Sequence, residues 1–131
     1  MERNYFDQTE VEQTIGEAVK KMGISKNVFI GSRPKSVTES MSDFVVVKMY
    51  GSINDLYAYG RTVSSIHLFA RDVQTQKNGK KLSLMQHKLY SQLSNGIGKL
   101  ILGDATVMAD TSDGVGFHAR IINFSTTIKA I

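Results

Sequence analysis

The residues that could do chemistry are three histidines (His67, His87, His118), two close carboxylates (Asp110, Asp113) and the glycine-lysine stretch "NGIGKL" at 95–100. A phosphate loop needs a glycine five residues before its final Gly-Lys and a Ser or Thr after the lysine, so that backbone amides wrap the phosphate. Those positions are Leu93 and Leu100, so the stretch reads as a link between elements. No histidine has a second ligand one helical turn away, and no HExxH pattern occurs. His67 and His118 would have to meet across neighbouring strands to bind a metal, and a polar residue on a half-buried sheet is the simpler reading. "DTSDG" at 110–114 lacks the twelve-residue calcium loop and its terminal glutamate, and Asp with Gly is what a hairpin turn requires. No GxSxG elbow or arranged acid pair is present. No catalytic residue, metal or cofactor is therefore expected, and the chain reads as non-enzymatic.

One dense basic stretch remains. "KNGKK" brings Lys77, Lys80 and Lys81 to the start of a helix, where positive charge opposes the helix dipole. Lysines so placed either sit in a solvated loop or touch phosphate without reading sequence. The net charge of +4 and the pI near 9.4 allow an acidic partner without demanding one.

Elements must hold these residues in place. With 131 residues and 41% apolar content, the chain is long enough for one domain, 1–131, with its own core. It has no cysteine, which excludes disulfides and thiolate sites. No apolar run approaches the ~20 residues of a membrane span, and "MERNYFDQTE" has no signal-type hydrophobic segment, so a soluble protein made in the cytoplasm is expected. Val11, Ile15, Val19 and Met22 recur at helical spacing, with Thr9 as cap and Gly23 as stop. Leu82, Met85 and Leu89 mark a second helix over 82–93.

Strands are expected at 28–30, 44–51, 57–72, 104–110 and 117–131, with a serine-rich loop at 31–43. The predicted fold is α+β: a mainly antiparallel sheet of about four or five strands with both amphipathic helices on one face. Alternation gives the last strand two faces, one with Ile122, Phe124, Thr126 and Ile128 and the other with Phe117, Ala119 and Ile121. The second face has no helix left to cover it. Phe44, Val46, Tyr57, Tyr59, Val63, Phe69, Phe117 and Ile121 would then form an apolar patch of the kind that marks association. The competing reading is a β-bulge near Ile121–Ile122 that switches faces.

The element order, with "GSRPKS", "FVVVKMYG", "SSIHLFARD", "KLSLMQHKLYSQL" and the closing "GFHARIINFSTTIKAI", resembles the tail-terminator and tail-completion proteins of tailed bacteriophages. The resemblance implies a virion component of the neck or tail, assembled in the host cytoplasm as a six- or twelve-fold ring. Such a ring joins the portal or connector to the tail tube or other neck proteins, with DNA passing through and no membrane contact. It further implies that the sheet face is a subunit contact and that Arg33, Lys35, Lys77, Lys80 and Lys81 are ring-contact or DNA-lumen groups. The loop 31–43 is then a docking arm. The alternative is a small basic nucleic-acid-binding domain with Tyr57, Tyr59 and Phe69 as stacking platform.

Overall fold

A computed structural model describes residues 6–35, 40–93 and 96–129. Helix α1 (Gln8–Met22) is followed by β1 (Val28–Ile30), β2 (Asp43–Met49), β3 (Asn54–Asp55) and β4 (Tyr59–Arg71). Helix α2 (Gly79–Gln92), β5 (Gly96–Ile97), β6 (Leu100–Val107), β7 (Thr111–Ser112) and β8 (Phe117–Lys129) complete the described chain. The sheet runs β1-β2-β4-β8-β6-β5, with β3 on β4 and β7 on β8.

This corrects the predicted fold. Among the described residues the sheet has eight strands rather than four or five, and it is mixed, because β1 pairs with β2 in parallel. The cause is the connection after β1. The chain leaves where Ile30 pairs with Val47 and enters β2 at Asp43, the opposite end, so it returns across the sheet before pairing. The unforeseen strands β3, β5 and β7 have two residues each, too short to carry any period.

Both helices lie on one face of the sheet. Val11, Ile15, Val19 and Met22 of α1 and Leu82, Met85 and Leu89 of α2 pack on Val45, Val47, Ile66, Leu68, Ile122, Phe124 and Ile128. Burying each of these side chains contributes about 1.5–3 kcal/mol. Asp7, not Thr9, caps α1: its carboxylate accepts the Thr9 amide at 2.9 Å, while Gly23 closes the helix at φ 68°. Asn78 caps α2 by accepting the Lys81 amide. α1 also comes very close to the sheet, because a Cβ on Gly16 would collide with Ile30 Cδ1.

The alternation expected for β4 and β8 holds. The two strands pair without interruption from Arg71↔Phe117 to Tyr59↔Lys129, so no bulge occurs at Ile121–Ile122. The register shift lies in β6, between Leu102 and Ala105. "NGIGKL" forms the β5–β6 hairpin, with Gly98 at φ 59°; its Asn95 lies outside the described residues. The strand expectation for residues 130 and 131 also lies outside them.

Candidate assembly surfaces

The second sheet face divides into two halves. At the Arg71 end, Phe44, Val46, Phe69, Phe117 and Ala119 form their own cluster, flanked by Phe29 and Ile121. Phe44 stacks on Phe69 with centroids 4.3 Å apart and meets Phe117 edge-on at 5.1 Å. This half is covered from within the chain. The Arg33 guanidinium lies 5.3 Å from the Phe44 centroid and 5.2 Å from that of Phe69, and its Nη1 bonds Asp113 Oδ2 at 3.1 Å. Arg71 lies over Phe117 at 4.5 Å and donates from Nε to the Met41 carbonyl.

Asp113 is the anchor of that cover. Burial pushes its pKa up, but the Val115 and Phe117 amides and Arg33 outweigh it and leave the carboxyl below its ordinary value. "DTSDG" therefore makes the expected turn and also receives an arginine from a distant loop. Residues 36–39 of the predicted docking arm lie outside the described residues.

The predicted interface must accordingly be corrected. Phe44, Val46, Phe69 and Phe117 are 0%, 2%, 6% and 1% exposed in the single chain, so they are core and offer no contact surface. Val63 and Ile121 are half-buried, whereas Tyr57 and Tyr59 are exposed. Helices are not the only cover for a sheet face; here cationic side chains from strand ends and a loop do so.

The basic candidates also separate. Arg33 is committed to Asp113 and the two rings, Lys77 pairs with Asp110 at 3.2 Å, and Lys81 pairs with Asp43 at 2.9 Å. Lys35 and Lys80 are exposed. The Lys77–Asp110 pair belongs to a larger clamp in which Arg120 grips Asp110 with two bonds of 2.8 Å and reaches Ser83 and Gln86 on α2. The Arg120 hydrogen bond is the main reason that the Asp110 pKa falls from 3.8 to about 2. Sequence reasoning missed Arg71 and Arg120; their signal was an arginine in each long strand, close to its aromatic-rich end.

His67 and His118 do not meet. His67 pairs with Ile121 and His118 with Ala70, on opposite faces of the sheet. His118 Nδ1 lies 2.6 Å from Asp72 Oδ1. His67 Nε2 is buried and has no hydrogen-bond partner among the described residues. Burial, and then the charge of Lys48, lowers its pKa from 6.5 to about 4. No group of three metal-ligating side chains occurs among the described residues, and no described helix is long and apolar enough to cross a membrane.

The other half of the face is open and polar. β2, β4 and β8 place Lys48, Arg61, Lys129, Ser125 and Thr127 there, and their positions on this face hold no carboxylate. Ser65 and Asn123 bond across the strands at 2.7 Å. Beyond it, the β2–β4 connection and the start of β4 end the sheet with Tyr50, Leu56, Tyr57 and Tyr59, each 41–60% exposed. Tyr57 is held at φ 73°, with its amide bonded to Asp55 Oδ1 at 2.9 Å. No protein-family model matches the chain, and no curated protein matches it.

Proposed function

We propose that this chain is a structural subunit of the neck or tail of a tailed bacteriophage. Copies form a six- or twelve-fold ring between the portal or connector and the tail, around the passing DNA, and no reaction is catalysed. The element order supports the reading, as described for the sequence. The observation that carries it is the exposed end of the sheet. Four large side chains, Tyr50, Leu56 and Tyr57 from the β2–β4 connection and Tyr59 at the start of β4, face solvent, and exposed apolar groups of that kind mark protein contacts. This end replaces the Phe44–Phe69 cluster as the contact surface, and Tyr57 and Tyr59 keep the role expected of them.

Leu56→Asp with Tyr59→Ser tests the reading. The expected result is a folded chain with parental melting that no longer enters particles. Unchanged incorporation overturns it.

A second reading draws on a separate observation. The open half-face carries Lys48, Arg61 and Lys129 beside Tyr59 with no opposing carboxylate in its strands, which suits sequence-independent contact with a nucleic-acid backbone. Salt-titrated binding to DNA separates the two: tight one-to-one binding by a monomer favours the second.

A further inference from the structure

Among the described residues, each end of the sheet presents a strand edge with no strand paired on its outer side. At one end, the Val45 amide donates to the Asn27 carbonyl and the Gly31 amide to the Val47 carbonyl. Phe29, between them, bonds inward by alternation, so the backbone groups of Val28 and Ile30 aim outward. At the other end, β5 pairs with Leu100–Ile101, and among the described residues no strand pairs with Ala105–Val107 of β6 on its side away from β8. The Met108 amide donates to the Ile121 carbonyl, so Thr106 also bonds inward, and Ala105 and Val107 aim outward.

The two edges match in length, direction and facing. The bulge at Leu102/Ala105 leaves Ala105–Val107 as a straight run of three residues, and β1 also has three. β1 runs parallel to β2, and each later step along β2-β4-β8-β6 reverses direction, so β1 and β6 are antiparallel. Val28 and Ile30 register with Val45 and Val47, and Ala105 and Val107 register with Phe124 and Ile122. All four partners belong to the helix-covered core, so the outward-bonding residues of both edges share that face. Neither run carries the lysine or proline that guards a solvent-facing edge, and Val107 and Met108 are 43% and 47% exposed.

From these features we infer that the β6 edge of one copy pairs, antiparallel, with the β1 edge of the next. Head-to-tail pairing of unlike edges propagates and closes into a ring, whereas β6-to-β6 pairing stops at a dimer and leaves β1 unused. This deepens the ring reading by naming the joint between subunits, and it rests on that reading only for its biological setting.

Disulfide trapping tests it in a chain that has no cysteine of its own. Val28→Cys and Val107→Cys are made singly and together, with Val73→Cys, exposed and on neither edge, as collision control. Oxidation of the double variant should give a non-reducing ladder beyond the dimer, absent from the single variants and the control. No ladder overturns the inference, as does an equally strong dimer from Val107→Cys alone. A second measurement needs no variant: amide exchange at Val28, Ile30, Ala105 and Val107 should slow at least tenfold as concentration rises, and concentration-independent exchange overturns the joint. A ladder from a chain absent from virions leaves the joint standing and removes the phage reading. A virion ring with β6 unpaired does the reverse.

Discussion

Arg33→Ala separates a cover from a lumen residue. The side chain makes one ion pair with the nearly buried Asp113 and lies over two phenyl rings. Because Arg33 is half-exposed, the ion pair is worth about 1 kcal/mol, and the two ring contacts add about 0.5–1 kcal/mol each. Asp113 keeps its Val115 and Phe117 amide bonds in the variant, so no buried charge is stranded. The expected loss is about 2 kcal/mol, which for a domain of this size lowers Tm by ~8 °C. Thermal melts by circular dichroism and urea titration measure it, and dye binding should rise as Phe44 and Phe69 lose their cover. Lys35→Ala, a change at an exposed lysine close in sequence, should shift stability by less than about 0.5 kcal/mol. A double-mutant cycle with Asp113→Asn should return a coupling of about 1 kcal/mol. The reasoning is refuted if Arg33→Ala melts within 2 °C of the parent and binds no more dye.

Three further perturbations follow from the same geometry. Asp110 has a folded pKa near 2 against 3.8 unfolded, so its contribution of about 2 kcal/mol is complete above pH ~4 and lost as pH falls toward 2; Asp110→Asn should lose that amount at pH 7 and flatten this acid limb of a stability–pH curve. His67, a base, acts in the same direction at higher pH: the unfolded chain binds its proton near pH 6.5 and the folded one only near 4, so stability falls as pH drops between those values. His67→Leu should remove that slope, about 1–2 kcal/mol after allowance for partial exposure, and a parental slope in the variant would exclude His67 as its source. Gly16→Ala pushes a methyl group into Ile30 and should cost about 1–3 kcal/mol, which Ile30→Val in the same chain should partly restore in urea titrations.

Much of the fold was legible from period alone. The stripe Val11, Ile15, Val19, Met22 and the alternation from Ile122 to Ile128 both face the core, and the two faces of the strand 117–129 were assigned correctly. What escaped was non-local. The parallel placement of Val28–Ile30 depends on where residues 31–42 travel, and no local pattern records a path. The second face reads as uncovered because Arg33 and Arg71 look like solvent charges in sequence; that they lie over Phe44, Phe69 and Phe117 depends on contacts between distant residues, Arg33 with Asp113 across 80 residues and Arg71 with the Met41 carbonyl. Residue type alone marks Tyr57 and Tyr59 as contact candidates, whereas their exposure depends on the β3–β4 hairpin that carries them.

Imaging of intact particles at side-chain resolution bears most directly on the whole reading. The expected result is a closed ring of this chain at the neck or tail, with Tyr50, Leu56, Tyr57 and Tyr59 buried against a neighbouring protein. Particles that lack the chain, or that hold it with those four side chains still in solvent, contradict it.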